Sequence, residues 1–311
     1  MLREPNFFLA GAPKAGTTSL YHYLDQHPQI YMSPIKEPNY FADELRFENF
    51  TEEMQRMDEP NRTALREYLR GPMKEKFSGG PVSEWADYLR LFQNVDGERA
   101  IGEASVCYLW SPTAAANIAA KYPRARILMI LRDPADRAFA QYLHMLTFAK
   151  SRVTFQQHLD AFFVSKSRRI GKLYPFLEFG LYEAQVRRYL ALFPRGRIQI
   201  HLYESYLQNP MALLQTIFRF LDVDDRFQPD LSKRYLQARV PRFYFVNRLV
   251  KQLGLWGIAR RATAVRRIAF QPRESLTMSP EDRGRLVEYY RDDIAGLARL
   301  LDQDLSAWMR V

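Results

Sequence analysis

An anion-binding loop is predicted near the start of the chain, where a short apolar stretch runs into a glycine-containing turn. The residues from Gly11 to Ser19 read G-x-x-x-x-G-T-T-S, with Lys14 inside the turn and Thr17 where a nucleoside-triphosphate loop has its lysine. Glycines let the backbone approach a ligand closely, and the N–H groups of a helix starting at Thr17 attract an anion. The displaced lysine predicts a loop that binds phosphate but does not grip the β,γ-phosphates of ATP. The alternative is a tight strand-to-helix turn without a ligand.

A second cation follows an apolar strand in the middle of the sequence. The stretch Ile127–Leu131 is followed by Arg132, Asp133 and Pro134. Open α/β sheets bind ligands at the carboxyl ends of their strands, and a guanidinium there forms paired hydrogen bonds with a phosphate. Asp133 is predicted to cap the next helix. Two alternatives stay open: a surface Arg132 paired with Asp136, or an Asp133 that binds magnesium as in a nucleoside-triphosphatase.

A carboxylate lies in a third motif, Ser33–Phe41, which reads S-P-I-K-E-P-N-Y-F. Glu37 follows a predicted strand, and a carboxylate beside an anion-binding loop is able to act as a general base toward a hydroxyl or amine. The alternative is a solvated turn in which Lys36 and Glu37 pair. A fourth motif, G-E-A-S-V-C-Y-L at Gly102–Leu109, also leaves a predicted strand.

Strands and helices that alternate along the sequence are predicted to position these motifs. Strands are predicted at Phe7–Gly11, Gln29–Met32, Arg99–Gly102, Ile127–Leu131 and Ile198–Leu202. Helix starts are predicted where a capping residue precedes proline, at Ser111, Asp133, Asn209 and Ser279. The alternation predicts an α/β fold: a P-loop-like parallel sheet flanked by helices, with helical insertions.

One domain spanning residues 1–311 is predicted, with insertions at 43–98 and 223–280. The chain is 47% hydrophobic, enough for a full core, and its formal charge of +10 attracts anionic ligands. The single cysteine, Cys107, excludes an intrachain disulfide, and a cytoplasmic protein is expected. Neither a signal peptide nor an apolar stretch of membrane-spanning length is recognised.

The four motifs resemble, in this order, those of sulfotransferases that use 3′-phosphoadenosine-5′-phosphosulfate (PAPS). The matching segments are P-K-A-G-T-T-S-L, H-P-Q-I, K-E-P-N-Y-F, G-E-A-S-V-C-Y-L, L-R-D-P-A-D-R-A and G-L-Y. The likeness covers nearly the whole chain and points to the carbohydrate-type and bacterial branch. It implies transfer of a sulfuryl group from PAPS to a hydroxyl or amine of a carbohydrate, glycolipid or other small acceptor, without a metal. The two insertions would lie on the acceptor side.

The resemblance also implies a role for each matching residue. Glu37 is the implied base, and Lys14 is implied to stabilise the leaving phosphate. Residues implied to bind PAPS are Pro13, Lys14, Ala15, Gly16, Thr17, Thr18, Ser19, Arg132, Tyr182 and Arg242. Three positions depart from the pattern of the family. The family often has a serine that binds the 3′-phosphate where this chain has Ala140, and some glycan enzymes have a lysine in place of Ala104 and a histidine in place of Asn39. These departures make a heparan-like acceptor unexpected.

Two other functions stay open on the residues alone. One is a P-loop nucleotide or small-molecule kinase that uses ATP and magnesium; the other is a basic protein that binds nucleic acid or a membrane surface. The basic stretch 248–267 is either a packed helix or a mobile flap near an acceptor, with peripheral membrane contact in the second case.

His144 is the reserve candidate for the base, and no Cys/His cluster indicates a metal. A nucleic-acid partner is not expected, and the oligomeric state stays open.

Overall fold

The structure is a computed structural model of the chain. It describes residues 4–78, 80–147, 153–165, 176–232, 239–241, 270–272 and 276–311. The predictions for Arg242 and for the basic stretch 248–267 lie outside the described residues.

The strands predicted from the sequence form one parallel sheet. The described strands are β1 (Phe7–Gly11), β2 (Ile30–Met32), β3 (Ile35–Lys36), β4 (Phe77–Ser78), β5 (Ala100–Ala104), β6 (Arg126–Leu131), β7 (Ile198–Leu202), β8 (Arg239–Pro241) and β9 (Phe270–Pro272). The central sheet has the order β2-β5-β1-β6-β7, while β3 pairs with β4 in parallel and β8 with β9 antiparallel. All five predicted strands are confirmed, and with them the α/β fold class.

β1 is the central strand of this sheet. Leu9 is in register with Ala104 on β5 and with Leu128 on β6, and both neighbours run parallel to β1. All five residues of β1 and five of the six residues of β6 are buried, as expected for parallel strands covered on both faces. The carboxyl ends of β5, β1 and β6 therefore lie side by side at one edge of the sheet.

Helices follow most of these strands, and several begin at the predicted capping residues. The described helices are α1 (Thr17–Leu24), α2 (Glu52–Arg70), α3 (Trp85–Arg90), α4 (Ala114–Lys121), α5 (Pro134–Thr147), α6 (Phe155–Ser165), α7 (Tyr182–Leu192), α8 (Tyr203–Gln208), α9 (Pro210–Leu221) and α10 (Pro280–Leu301). The Asn209 side chain accepts a hydrogen bond from the backbone of α9, and Ser279 does the same for α10. The start predicted at Ser111 is also confirmed, because its Oγ accepts a hydrogen bond from the N–H of Ala114, the first residue of α4.

The chain divides into two compact units. The first contains the central sheet and comprises Met1–Arg132, Leu181–Tyr235 and Gly296–Asp302. The second contains α5, α6 and most of α10 and comprises Asp133–Gly180, Leu236–Ala295 and Gln303–Val311. That the whole chain acts as a single domain remains a prediction.

The inserted region at 43–98 is mainly helical, as the sequence predicts. It holds α2, α3 and two 3₁₀ turns, Asp43–Leu45 and Phe47–Asn49, together with β4. Within the second unit α10 buries Leu286, Tyr290 and Ile294, and the Tyr290 hydroxyl donates to the Leu177 carbonyl oxygen at 2.7 Å. None of the helices in the described ranges is long and apolar enough to span a membrane.

We expect Gly102→Ala to destabilise the protein. A methyl group at this position on β5 would lie 2.2 Å from the Phe7 ring of β1, closer than atoms approach without rearrangement. Overpacking of this kind costs about 1–3 kcal/mol of the free energy of unfolding. Urea denaturation measures the loss, with Gly196→Ala as the matched control, because no described atom lies within 4 Å of a methyl group there. An equal effect of the two substitutions would contradict the close packing of β5 on β1.

Candidate active site

The predicted anion-binding loop connects β1 to α1. Lys14 and Gly16 both have left-handed backbone conformations, with φ of 66° and 80°. α1 begins at Thr17 with Gly16 as its N-cap residue, so the N–H groups of the first helical turn lie next to the loop. Such a loop concentrates N–H donors at the positive end of a helix dipole, the combination that binds phosphate.

Two tyrosines of α8 pack against the loop at Gly16. A methyl group on Gly16 would lie 2.8 Å from Tyr203 Cε2 and 3.0 Å from Tyr206 Cε1, so a larger residue does not fit without rearrangement. The positive φ of Gly16 gives a second reason for glycine. Sequence reasoning missed both tyrosines as members of this site, because no local pattern signals a contact between residues so far apart in the chain.

Arg132 lies against the same loop. Its Nη1 donates to the Lys14 carbonyl oxygen at 3.1 Å, and its guanidinium carbon is 4.8 Å from the centroid of the Tyr203 ring. The Tyr182 hydroxyl donates to the Arg132 carbonyl oxygen at 3.0 Å. The structure therefore brings together Lys14, Arg132 and Tyr182, three of the residues predicted for one site.

Asp133 caps α5, as predicted. Its Oδ1 accepts hydrogen bonds from the N–H groups of Ala135 and Asp136 at 2.9 and 3.1 Å, and its Oδ2 is 2.7 Å from Arg283 Nη2. Arg283 also pairs with Asp136, at 3.2 Å. Both oxygens of Asp133 thus have structural partners. Within the described ranges no group of three or more His, Cys, Asp or Glu side chains is arranged to hold a metal ion.

Glu37 lies at the carboxyl end of β5. Its N–H donates to the Ala104 carbonyl oxygen at 2.8 Å, and its backbone is left-handed, with φ of 68°. Glu37 Oε1 is 2.7 Å from Lys36 Nζ. The side chain of Lys36 is only 15% exposed and that of Glu37 38% exposed, and Lys36 belongs to β3. The two residues therefore pair, but not in the fully solvated turn that the alternative interpretation assumes.

The three charged residues are attached to three neighbouring strands. Glu37 is anchored on the last residue of β5, Lys14 follows β1 and Arg132 follows β6. Neighbouring strands lie about 4.8 Å apart, so β5 and β6 are separated by roughly 10 Å across the sheet, with β1 between them. An anion held by the loop after β1 would have a carboxylate on one side and a guanidinium on the other.

A second carboxylate, Glu103, is buried next to residues 37–41, the Glu37 segment. Glu103 on β5 is fully buried and accepts hydrogen bonds from Tyr88 Oη, Tyr108 Oη and Ser105 Oγ at 3.0, 2.7 and 2.8 Å. Burial raises the pKa of Glu103 to about 7, and the three hydrogen bonds oppose that rise because they favour the charged form. The sequence marks Glu103 only as part of the motif G-E-A-S, without a role.

The histidines have largely structural surroundings. His27 is buried, with Nε2 2.9 Å from the Asp224 carbonyl oxygen. Burial lowers the pKa of His201 to about 4 and also lowers the pKa of His158. His144 lies on α5 in the second unit, and its role as the reserve base remains a prediction.

Comparison with known proteins identifies the class to which this fold and loop belong. The sequence matches the model of the Sulfotransferase family over residues 5–229, and the chain belongs to that family. The crystal structure of a sulfotransferase from Alicyclobacillus acidocaldarius has the same fold, with a TM-score of 0.72 and 30% sequence identity. The similarity covers 99% of this chain and 100% of that one. The resemblance inferred from the motifs is therefore confirmed at the level of the family.

Two human relatives contain a segment similar to this chain. Bifunctional heparan sulfate N-deacetylase/N-sulfotransferase 2 is 24% identical over 319 residues, which cover 99% of this chain and 31% of that protein. Carbohydrate sulfotransferase 15 is 24% identical over 266 residues, which cover 70% of this chain and 44% of that protein. The chain thus spans less than half the length of either relative.

Relative to a Glu103→Gln variant, the free energy of unfolding of the wild-type protein should fall as the pH rises from 4.5 to about 7. In this window the folded protein still holds the Glu103 proton and the unfolded chain has released it, so a higher pH favours the unfolded state. A pKa raised from 4.5 to about 7 corresponds to roughly 3 kcal/mol across the window. Urea denaturation of both proteins at several pH values measures the difference. A difference that does not change with pH would show that Glu103 titrates normally in the folded protein.

Proposed function

We propose that this protein transfers a sulfuryl group from PAPS to a hydroxyl or amine of a carbohydrate, glycolipid or other small acceptor. One observation carries the proposal: an anion-binding loop with an internal lysine has Arg132 on one side and Glu37 on the other, at one edge of a parallel sheet. Membership of the Sulfotransferase family supports sulfuryl transfer over an ATP-dependent kinase or a nucleic-acid-binding protein.

Different elements would bind the two phosphorylated ends of the donor. In this proposal the 5′-phosphosulfate is held by the loop residues Pro13, Lys14, Ala15, Gly16, Thr17, Thr18 and Ser19. Arg132 binds the 3′-phosphate, since a guanidinium has five N–H donors, enough for both the Lys14 carbonyl and a phosphate. Tyr182 supports Arg132 by donating to its carbonyl oxygen. Arg242, outside the described residues, is proposed as a further contact to the nucleotide.

The reaction couples one proton transfer to the exchange of one bond at sulfur. The acceptor oxygen or nitrogen attacks the sulfur, the sulfur–oxygen bond to the 5′-phosphate breaks, and Glu37 takes the acceptor's proton. Adenosine 3′,5′-bisphosphate leaves with the electron pair of the broken bond. Lys14 and the loop N–H groups stabilise the charge that grows on the leaving phosphate, as magnesium does in many phosphoryl transfers. Lys36, whose Nζ is 2.7 Å from Glu37 Oε1, orients the carboxylate.

The proposed acceptor class rests on the names of the relatives and on two residues beside Glu37, Ala104 and Asn39, which differ from those of some glycan enzymes. The names of the human relatives point to glycans, through N-sulfation of heparan sulfate and sulfation of carbohydrate. Ala104 accepts the Glu37 N–H through its carbonyl oxygen, and the Asn39 side chain donates to the Glu37 carbonyl oxygen at 3.0 Å. Some glycan enzymes have lysine and histidine at these two positions. Their replacement favours an acceptor with less negative charge than heparan sulfate.

The location and the partners of the protein stay predictions. A cytoplasmic location is proposed because Cys107 is free and buried, which fits a reducing compartment. The peripheral membrane contact proposed for 248–267 concerns residues outside the described part of the chain.

Arg132→Ala should weaken adenosine 3′,5′-bisphosphate binding strongly and barely change the binding of adenosine 5′-phosphosulfate, which lacks the 3′-phosphate. Loss of a charge-assisted pair of hydrogen bonds costs about 1.5–3 kcal/mol, or roughly 10- to 150-fold in Kd. Calorimetric titration measures both constants. Arg99→Ala is the matched control, since Arg99 is exposed and pairs with Asp222 at the amino end of β5. Equal losses for the two ligands would refute the assignment of Arg132.

Glu37→Gln should keep nucleotide affinity and lose most turnover. The substitution is nearly isosteric but removes the base, so the rate should drop by roughly 10²–10⁴. Turnover is followed with radiolabelled PAPS and a panel of simple glycans, glycolipids and phenols. Glu84→Gln, at an exposed position before α3, serves as the control. A Glu37→Gln variant with a near-normal rate would transfer the role to another residue, and His144→Ala would be tested next.

A further inference from the structure

Glu103 is a fully buried carboxylate that has no role in the proposed reaction. Its Oε1 accepts hydrogen bonds from the hydroxyl groups of Tyr88 and Tyr108, and its Oε2 accepts one from Ser105. Burial removes the hydration of a carboxylate, and hydroxyl donors compensate for only part of that loss. An apolar residue would fill this space on β5 without that penalty, so the carboxylate is expected to have a function beyond packing.

When it is ionised, Glu103 can only accept hydrogen bonds, and it then determines the direction of two further ones. A hydroxyl group has one hydrogen to donate and lone pairs with which to accept. Ser105 and Tyr108 give their hydrogens to Glu103, and their oxygens accept the N–H groups of Asn39 at 3.0 Å and of Phe41 at 3.3 Å. Glu103 is thereby linked, through one intervening hydroxyl in each case, to two backbone amides just after Glu37.

These amides belong to a segment with an unfavourable backbone conformation. Glu37 and Asn39 have positive φ angles of 68° and 50°, in a region that non-glycine residues seldom adopt. The backbone direction at Glu37 determines where its side chain projects from the sheet edge. Bonds that fix the amides of Asn39 and Phe41 therefore also restrict the position of the Glu37 carboxylate.

We propose that Glu103 is a positioning residue that fixes the Glu37 segment, residues 37–41, through the hydroxyl groups of Ser105 and Tyr108. The proposal rests on the proposed function, in which Glu37 is the base. Titratable groups that interact with Glu103 come from several elements: Tyr88 on α3, Tyr108 in the turn after β5, Tyr122 after α4 and Tyr189 on α7.

The chain offers a matched pair of tyrosines to separate positioning from stability. Both Tyr88 and Tyr108 are fully buried, and both donate to Glu103 Oε1. The Tyr108 hydroxyl also accepts the Phe41 N–H, whereas no hydrogen bond from the backbone of residues 37–41 to Tyr88 is present in the described part of the chain. Phenylalanine keeps the ring contacts at either position, so each variant removes only the hydroxyl.

The experiment compares Tyr108→Phe and Ser105→Ala with Tyr88→Phe at a pH above 7, where Glu103 is ionised. Amide hydrogen exchange resolved to residues 39 and 41 reports the position of the segment without any assay of activity. We expect Tyr108→Phe to accelerate exchange at Phe41 and Ser105→Ala to accelerate it at Asn39. In both variants kcat should fall by roughly 10- to 100-fold, because a misplaced catalytic group loses rate steeply, while the Kd for adenosine 3′,5′-bisphosphate stays within about twofold. Tyr88→Phe should lose stability but keep exchange and kcat close to wild type.

Glu103→Gln provides the direct test. The amide Nε2 group of glutamine is a donor, so at least one of the hydroxyl groups that donate to Glu103 must accept a hydrogen bond instead. Accelerated exchange at Asn39 or Phe41 in this variant supports the proposal. Equal exchange and equal kcat in Tyr108→Phe and Tyr88→Phe would overturn it. A normal rate for Glu37→Gln would remove the base from the proposed function, and the exchange measurements would still decide whether Glu103 fixes the segment.

Discussion

The parallel alignment of β5, β1 and β6 is the constraint on which the rest of the site depends. β1 is in register with both neighbours, so the chain leaves all three strands at the same edge of the sheet. Parallel strands cannot be joined by a hairpin, and the segments at their carboxyl ends are therefore available to carry polar groups. The segments that carry Lys14, Arg132 and Glu37 lie at this edge for that reason, although they are far apart in the sequence.

Unfavourable backbone conformations occur at this same edge. Lys14, Glu37 and Asn39 are non-glycine residues with positive φ. Each costs about 1–2 kcal/mol, and residues of this kind persist where the surroundings hold them, typically at functional sites. At Lys14 the carbonyl oxygen is held by Arg132, and at Asn39 the N–H is held by Ser105. The buried carboxylate network and the guanidinium therefore act on the segments that carry the proposed lysine and base.

Much of the fold is predictable from local patterns, because each strand of the central sheet is a short apolar run and several helices begin at a capping residue before proline. The loop at Lys14 is predictable for a similar reason, since its glycines and threonines are adjacent in the sequence. Contacts between distant segments are not predictable in this way. The packing of Tyr203 on Gly16 and the hydroxyl groups around Glu103 depend on how helices and turns meet the sheet. The two-residue strands β3 and β4 were not predicted either, because so short a run has no periodicity to detect.

Calorimetric titration of the wild-type protein with adenosine 3′,5′-bisphosphate and with ATP and magnesium tests the central claim most directly. That claim is that the loop after β1 and Arg132 form a site for a nucleotide with phosphate on both the 5′ and the 3′ oxygen. We predict that the bisphosphate binds at least about tenfold more tightly than ATP with magnesium, since only the bisphosphate offers Arg132 a 3′-phosphate, and a charge-assisted contact is worth about 1.5 kcal/mol or more. Equal or tighter binding of ATP with magnesium would contradict it.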